Sequence, residues 1–129
     1  MRGQSNTNFN NETSSLLVDR RKQVRIQIHM KASIAGDNQV FHDSTIIDIS
    51  NDGAQIQSYD TCPEENKCLT VKFKLGTEYL LSAAIVWFRG VKNKNYFIGV
   101  KWVNLTHSEK ERLEREIMRI AVNRRRLKK

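Results

Sequence analysis

Two short patterns in this chain hold side chains suited to recognition chemistry. The first is Arg21-x-x-x-Arg25, with Arg20 directly before it. A guanidinium is a permanently charged planar fork that can grip a phosphate or a base edge bidentately and can stack on a ring. The second is Asp48-Ile49-Ser50-Asn51-Asp52-Gly53, or D-x-S-x-x-G. It offers an acceptor-only carboxylate and a hydroxyl that can bond a ligand or the turn backbone. Its glycine permits positive φ at a turn and lets backbone come close to a ligand. At average residue usage, R-x-x-x-R arises by chance in about a third of chains this long, and D-x-S-x-x-G in about 3%. Alone, the first reads as a solvated basic arm and the second as a hairpin turn. Together, and in this order, they suggest a site for an anion.

Catalytic constellations do not emerge. His29, His42 and His107 stand apart, without Cys or His partners at metal-ligand spacing. His29 falls on the solvent parity of a strand, and His107 lies in a helix-capping sequence. Neither a nucleophile elbow, a phosphate loop nor a zincin motif occurs. Cys62 and Cys68 match neither zinc nor redox spacing and read as reduced thiols in or beside a loop. The expectation is a binding protein, not an enzyme, with no metal and no resident cofactor.

Composition narrows the partner. The 129 residues carry a formal net charge of +8, which favours an anionic partner. No apolar run is long enough to span a bilayer, and Met1 to Ser15 lack the apolar stretch of a secretory signal. A cytoplasmic protein without a membrane span is expected.

The elements that must position the two patterns follow from periodicity. Residues 1–18, rich in Asn, Ser and Thr near the start, read as a disordered tail. Residues 19–25 form a basic arm. Ile26, Ile28, Met30, Ala32 and Ile34 then share one parity, the mark of a half-buried strand. Gly36-Asp37-Asn38 turns the chain. Ser44–Ile49 and Ala54–Ser58 flank the Asn51-Asp52-Gly53 turn as a hairpin. Further strands are expected at Cys68–Leu75, Tyr79–Phe88 and Tyr96–Val103, with Gly90–Asn95 as a loop. Six such strands suggest an antiparallel barrel or sandwich. Thr106-x-x-Glu109 is a capping box behind Leu105. Leu113, Ile117, Ile120 and Ala121 then recur at helical spacing. The helix is expected over 107–123, roughly four turns, followed by a solvated basic tail, 124–129.

With these residues in view, the chain from about 19 to 120 resembles the PilZ domain family. That family joins an R-x-x-x-R arm to a [D/N]-x-S-x-x-G hairpin. Ala84-Ile85-Val86-Trp87 is similar to the family's fifth-strand pattern, and Gly99-Val100-Lys101-Trp102 to its sixth. The resemblance implies an all-β fold, a six-stranded antiparallel barrel with a C-terminal α-helix. It implies a receptor for cyclic di-GMP, bound by Arg20, Arg21, Arg25, Asp48, Ser50 and Gly53. Trp87, by default a core residue, joins them as a candidate because indoles stack on purines. The Asp48 carboxylate suits the N1-H and N2-H donors of guanine. In the resembled family an Arg before the arm motif goes with an intercalated ligand pair, so Arg20 implies two ligands per chain. The arm is expected to close over the ligand and change the surface shown to a downstream protein. Two alternatives stay open: a basic barrel that binds single-stranded nucleic acid, favoured by Trp87, Trp102 and the basic tail, and a PilZ-like interaction module without ligand. DNA is not an expected partner.

Overall fold

The computed structural model describes residues 24–59, 67–91 and 95–127. The expected tail, Arg20, Arg21 and Cys62 lie outside those residues. Six strands follow in order: β1 (Arg25–Ala35), β2 (Phe41–Ser50), β3 (Gly53–Tyr59), β4 (Cys68–Leu75), β5 (Thr77–Val91) and β6 (Asn95–Val103). Helix α1 (His107–Leu127) comes last. The strands close into an antiparallel barrel in the order β1-β2-β3-β6-β5-β4. β1 and β4 close the barrel through Ala32–Ala35 and Thr70–Phe73, while the first half of β1 pairs with β2 alone.

The core is the inward half of each strand. Ile26, Ile34, Ile46, Ile49, Ile56, Val71, Leu81, Ile85 and Ile98 are all buried there. β-branched residues dominate because they pack well on a pleated surface. Phe73 stacks between Tyr79 and Trp102, at centroid separations of 5.1 and 5.9 Å. Trp102 and Phe73 are thus core residues, as their parity predicts. His29 and His107 are exposed, and Cys68 is an exposed free thiol.

Strict alternation breaks at three places. Ile46 pairs with Ile56 and Asp48 with Gln55, so Ile47 is an extra residue on β2. Ile28 and His29 together oppose Ile47 across β1 and β2. On β5, Ile85 pairs with Val100 and Trp87 with Gly99, which leaves Val86 as the extra residue. Such bulges bend the strand and re-aim the side chains beyond them.

α1 seals the end of the barrel where the β2–β3 and β4–β5 turns lie. Its capping box forms as the sequence predicts. The Thr106 N–H donates to Glu109 Oε1 at 3.0 Å, and the Glu109 N–H donates to Thr106 Oγ1 at 3.1 Å. Leu113 and Ile117 are completely buried, with Leu105, Ile120 and Ala121 packed beside them. Gly76, at φ 78°, turns the chain under Glu116. Several boundaries differ from the sequence reading; β2 already begins at Phe41 and β5 at Thr77. β5 runs on to Val91 and β6 begins at Asn95, because ladder pairing continues through Gly90 and Tyr96. The helix continues to Leu127, so Arg124 and Arg125 belong to its last turns and not to a free tail. The Arg124 guanidinium donates to the backbone carbonyl of Gln27, beside the β1 irregularity.

Because Leu113 plugs the barrel with no exposed surface, Leu113→Ala should lower unfolding stability by about 2–5 kcal/mol. Urea denaturation followed by circular dichroism measures it. A change under about 0.5 kcal/mol, the usual range for surface substitutions, would show that the helix is not part of the core.

Candidate functional site

Asp48, Ser50 and Gly53 sit on one hairpin, and each does something different. The Ser50 side chain is completely buried. Its Oγ accepts the N–H groups of Asp52 and Gly53 at 3.1 and 3.2 Å and lies 3.4 Å from the Gly53 carbonyl, to which it donates. The hydroxyl therefore builds the turn from beneath and does not face solvent. Trp102 locks the same turn from β6. Its backbone N–H donates to Asp52 O, and its indole N–H donates to Ser50 O, both at 3.0 Å. Sequence reading placed Trp102 in the core, but parity cannot reveal that its indole N–H holds the hairpin.

Gly53 needs correction. Gly76 is the one glycine with positive φ among the described residues. Gly53 lies in β3, and a Cβ there would stand 2.1 Å from the Val100 carbonyl oxygen. Its missing side chain lets the hairpin press against β6, and no left-handed turn requires it.

The irregularity at Ile47 turns Asp48 outward between the buried Ile46 and Ile49. The Asp48 carboxylate, about 15% exposed, forms an ion pair with Arg25 at the first position of β1. The bulge at Val86 does the same for Trp87. Ile85 is buried, yet Trp87 two residues on is 37% exposed. Its indole lies over Gly99, where a Cβ would stand 2.1 Å from Nε1.

One row of side chains therefore crosses the outer wall: Gln27, Asp48, Gln55, Gly99 and Trp87, each paired with the next. Along this row lies an open groove of about 520 Å³, within the usual range of about 300–1,000 Å³ for ligand sites. Arg25, Asp48, Gly53 and Trp87 line it. Ser50 does not. Asp52, Gln55, Val86, Gly99 and Lys101 also line it; the sequence gives a slight case for Lys101 and singles out none of the other four. Only the cross-strand register brings them there. Arg25 and Lys101 face Asp48 and Asp52, so the described wall holds two cations and two carboxylates. No group of three or more potential metal ligands occurs among the described residues.

A closed six-stranded barrel sealed by a helix, with an open groove on its outer wall beside Arg25, defines a small β-barrel domain with a candidate binding site. The PilZ domain profile matches residues 19–119, and the chain belongs to that family. No curated protein sequence matches the chain. Solved structures share the fold at low identity. The Bacillus subtilis inhibitor of motility, MotI, superposes with a TM-score of 0.68 at 15% identity, covering 84% of this chain and 54% of that one. The PilZ domain of YcgR from Escherichia coli, solved with c-di-GMP, gives 0.66 at 16% identity, covering 84% and 96%. The MrkH–c-di-GMP complex from K. pneumonia gives 0.68 at 14% identity, covering 85% and 56%. The chain thus spans about half the length of MotI and MrkH.

Gly99→Ala should leave the barrel folded but push the Trp87 indole off β6 into solvent. Tryptophan fluorescence checks this, since Trp102 stays buried and only Trp87 can move. An emission spectrum identical to wild type would show that the indole does not depend on that gap.

Proposed function

We propose that this chain is a cyclic di-GMP receptor and adaptor, with no catalytic role, that binds its ligand in the groove between the arm and the outer wall. What carries the reading is the convergence of Arg25, Asp48, Gly53 and Trp87, from four different strands, on one open groove. Family membership and the c-di-GMP complexes of YcgR and MrkH support it. The charges of the groove support it as well. Its two cations are balanced by two carboxylates, so a ligand with two phosphates needs more positive charge than the wall supplies. Arg20, Arg21 and Lys22, just ahead of Arg25, are the nearest source in sequence. Arg21 and Arg25 grip the phosphates or a guanine, Asp48 accepts from N1-H and N2-H, and Trp87 offers an indole face. Ser50 and Gly53 act by shaping the hairpin. Ligand entry breaks the Arg25–Asp48 pair, and the arm folding over the groove alters the surface offered to a protein partner.

The nucleic-acid reading is weaker. Trp102 and Phe73 are only 6% and 3% exposed and present no face for stacking bases, which leaves Trp87 alone of the two tryptophans. No helix among the described residues is long and apolar enough to cross a membrane.

Titration calorimetry with cyclic di-GMP, cyclic di-AMP and a short RNA tests the function. Wild type should bind cyclic di-GMP and strongly prefer it to cyclic di-AMP, because a carboxylate set against a guanine edge rejects adenine. Arg21→Ala and Arg25→Ala should each abolish measurable binding without unfolding the barrel. Each removes a charge-assisted contact of about 1.5–3 kcal/mol, and the arm docks as a unit. Wild-type affinity in both variants, or equal affinity for the two dinucleotides, would sink the assignment.

Stoichiometry tests Arg20 separately. A third guanidinium at the arm suits a second ligand copy, whose bases interleave with the first and whose phosphates add negative charge. Titration at protein concentrations far above Kd should end at two ligands per chain. Arg20→Leu should reduce that to one. An end point of one, unchanged in the variant, refutes the paired-ligand reading while leaving the receptor intact.

A further inference from the structure

The groove holds one neutral polar side chain that neither sequence pattern marks. Gln55 lies on β3 between Ala54 and Ile56, both buried. Alternation therefore points it outward, into the groove. Its strand partners are Asp48 on one side and Gly99 on the other. No side-chain hydrogen bond engages its amide among the described residues. We propose that Gln55 is a specificity-determining residue that reads a guanine edge jointly with Asp48. This rests on the cyclic di-GMP reading above.

The reasoning is one of matching edges. The pairing edge of guanine presents three groups in a row: the O6 acceptor, then the N1-H and N2-H donors. A carboxylate can take the two donors, because it only accepts. O6 then needs a donor directly beside that carboxylate. Residues paired across adjacent strands have Cβ atoms about 5 Å apart, so the Gln55 amide stands next to Asp48 on the same face. Its NH₂ supplies the missing donor. Of the other cationic donors on this wall, Lys101 pairs with Gly53 in a neighbouring row, and Arg25 lies on β1, on the opposite side of Asp48 from Gln55. On the far side of Gln55, Gly99 has no side chain to obstruct a flat base, and the Trp87 indole overlies it. Adenine presents an amino group where guanine has O6. A rotated Gln55 amide can satisfy that group, but Asp48 would then face the adenine N1 acceptor. Gln55 thus adds affinity for a 6-oxopurine, and Asp48 excludes adenine.

The test compares wild type, Gln55→Leu and Gln55→Glu by calorimetry against cyclic di-GMP and cyclic di-IMP. The second ligand keeps O6 and N1-H but lacks the N2 amino group. Gln55→Leu should weaken both by the same factor, about five- to tenfold for one neutral hydrogen bond. Gln55→Glu sets an acceptor and a negative charge against O6 and should weaken both by about 30-fold or more. Thermal melts by circular dichroism confirm that each variant is folded, as an outward position allows. Wild-type affinity in both variants overturns the inference. So does a loss confined to cyclic di-GMP, which would place Gln55 at the N2 amino group. Failure of wild type to bind cyclic di-GMP overturns the receptor reading itself, before any variant is compared.

Discussion

A residue in a barrel wall points either into the core or out of it, and its neighbours along the strand must take the opposite side. Everything at the groove depends on breaking that rule at chosen places. Asp48 must face out while Ile46 and Ile49 both face in, which strict alternation forbids. Trp87 must face out although Ile85 is buried two residues before it. One extra residue in each strand, Ile47 and Val86, resolves the conflict. The hydrophobic core keeps its isoleucines, and the outer wall gains a carboxylate and an indole. Each bulge gives up ladder hydrogen bonds locally, and the surrounding closed barrel holds the irregular backbone in place.

The hairpin turn is the second fixed point. Ser50 holds it from within, Trp102 from β6, and Gly53 allows the two strands to meet. These buried polar contacts are mutually satisfied, which makes a low-dielectric network rigid. Rigidity matters because the Asp48 carboxylate stands only two residues from this turn. A loosely held hairpin would spread the carboxylate and the Gln55 amide over several positions. In the D-x-S-x-x-G pattern, then, the Asp presents chemistry, and the Ser and Gly fix where it is presented.

Helix α1 reaches the same region from below. It seals the barrel through Leu113 and Ile117 and, farther along, donates from Arg124 to the Gln27 carbonyl. Gln27 pairs with Asp48. The end of the helix therefore rests on the first residues of β1, close to the groove that Arg25 lines.

Much of this was legible in the sequence. Period-two alternation marked the strands, the capping box set the start of the helix, and the two motifs with their flanking strand patterns led to the family and to Arg25, Asp48 and Trp87. Those signals are local, carried by residues a few positions apart. What tertiary structure alone decided is everything that depends on register between strands. Gln55, Gly99 and Lys101 enter the groove because β3, β6 and β5 pair at one particular offset. Gly53 is needed because Val100, forty-seven positions on, leaves no room for a Cβ. Ser50 turns inward, and Arg124 leaves the expected tail to meet Gln27. A sequence pattern says which residue types stand near one another along the chain. It does not say which carbonyl, from a distant strand, will occupy the space beside them, because that is settled only when the barrel closes.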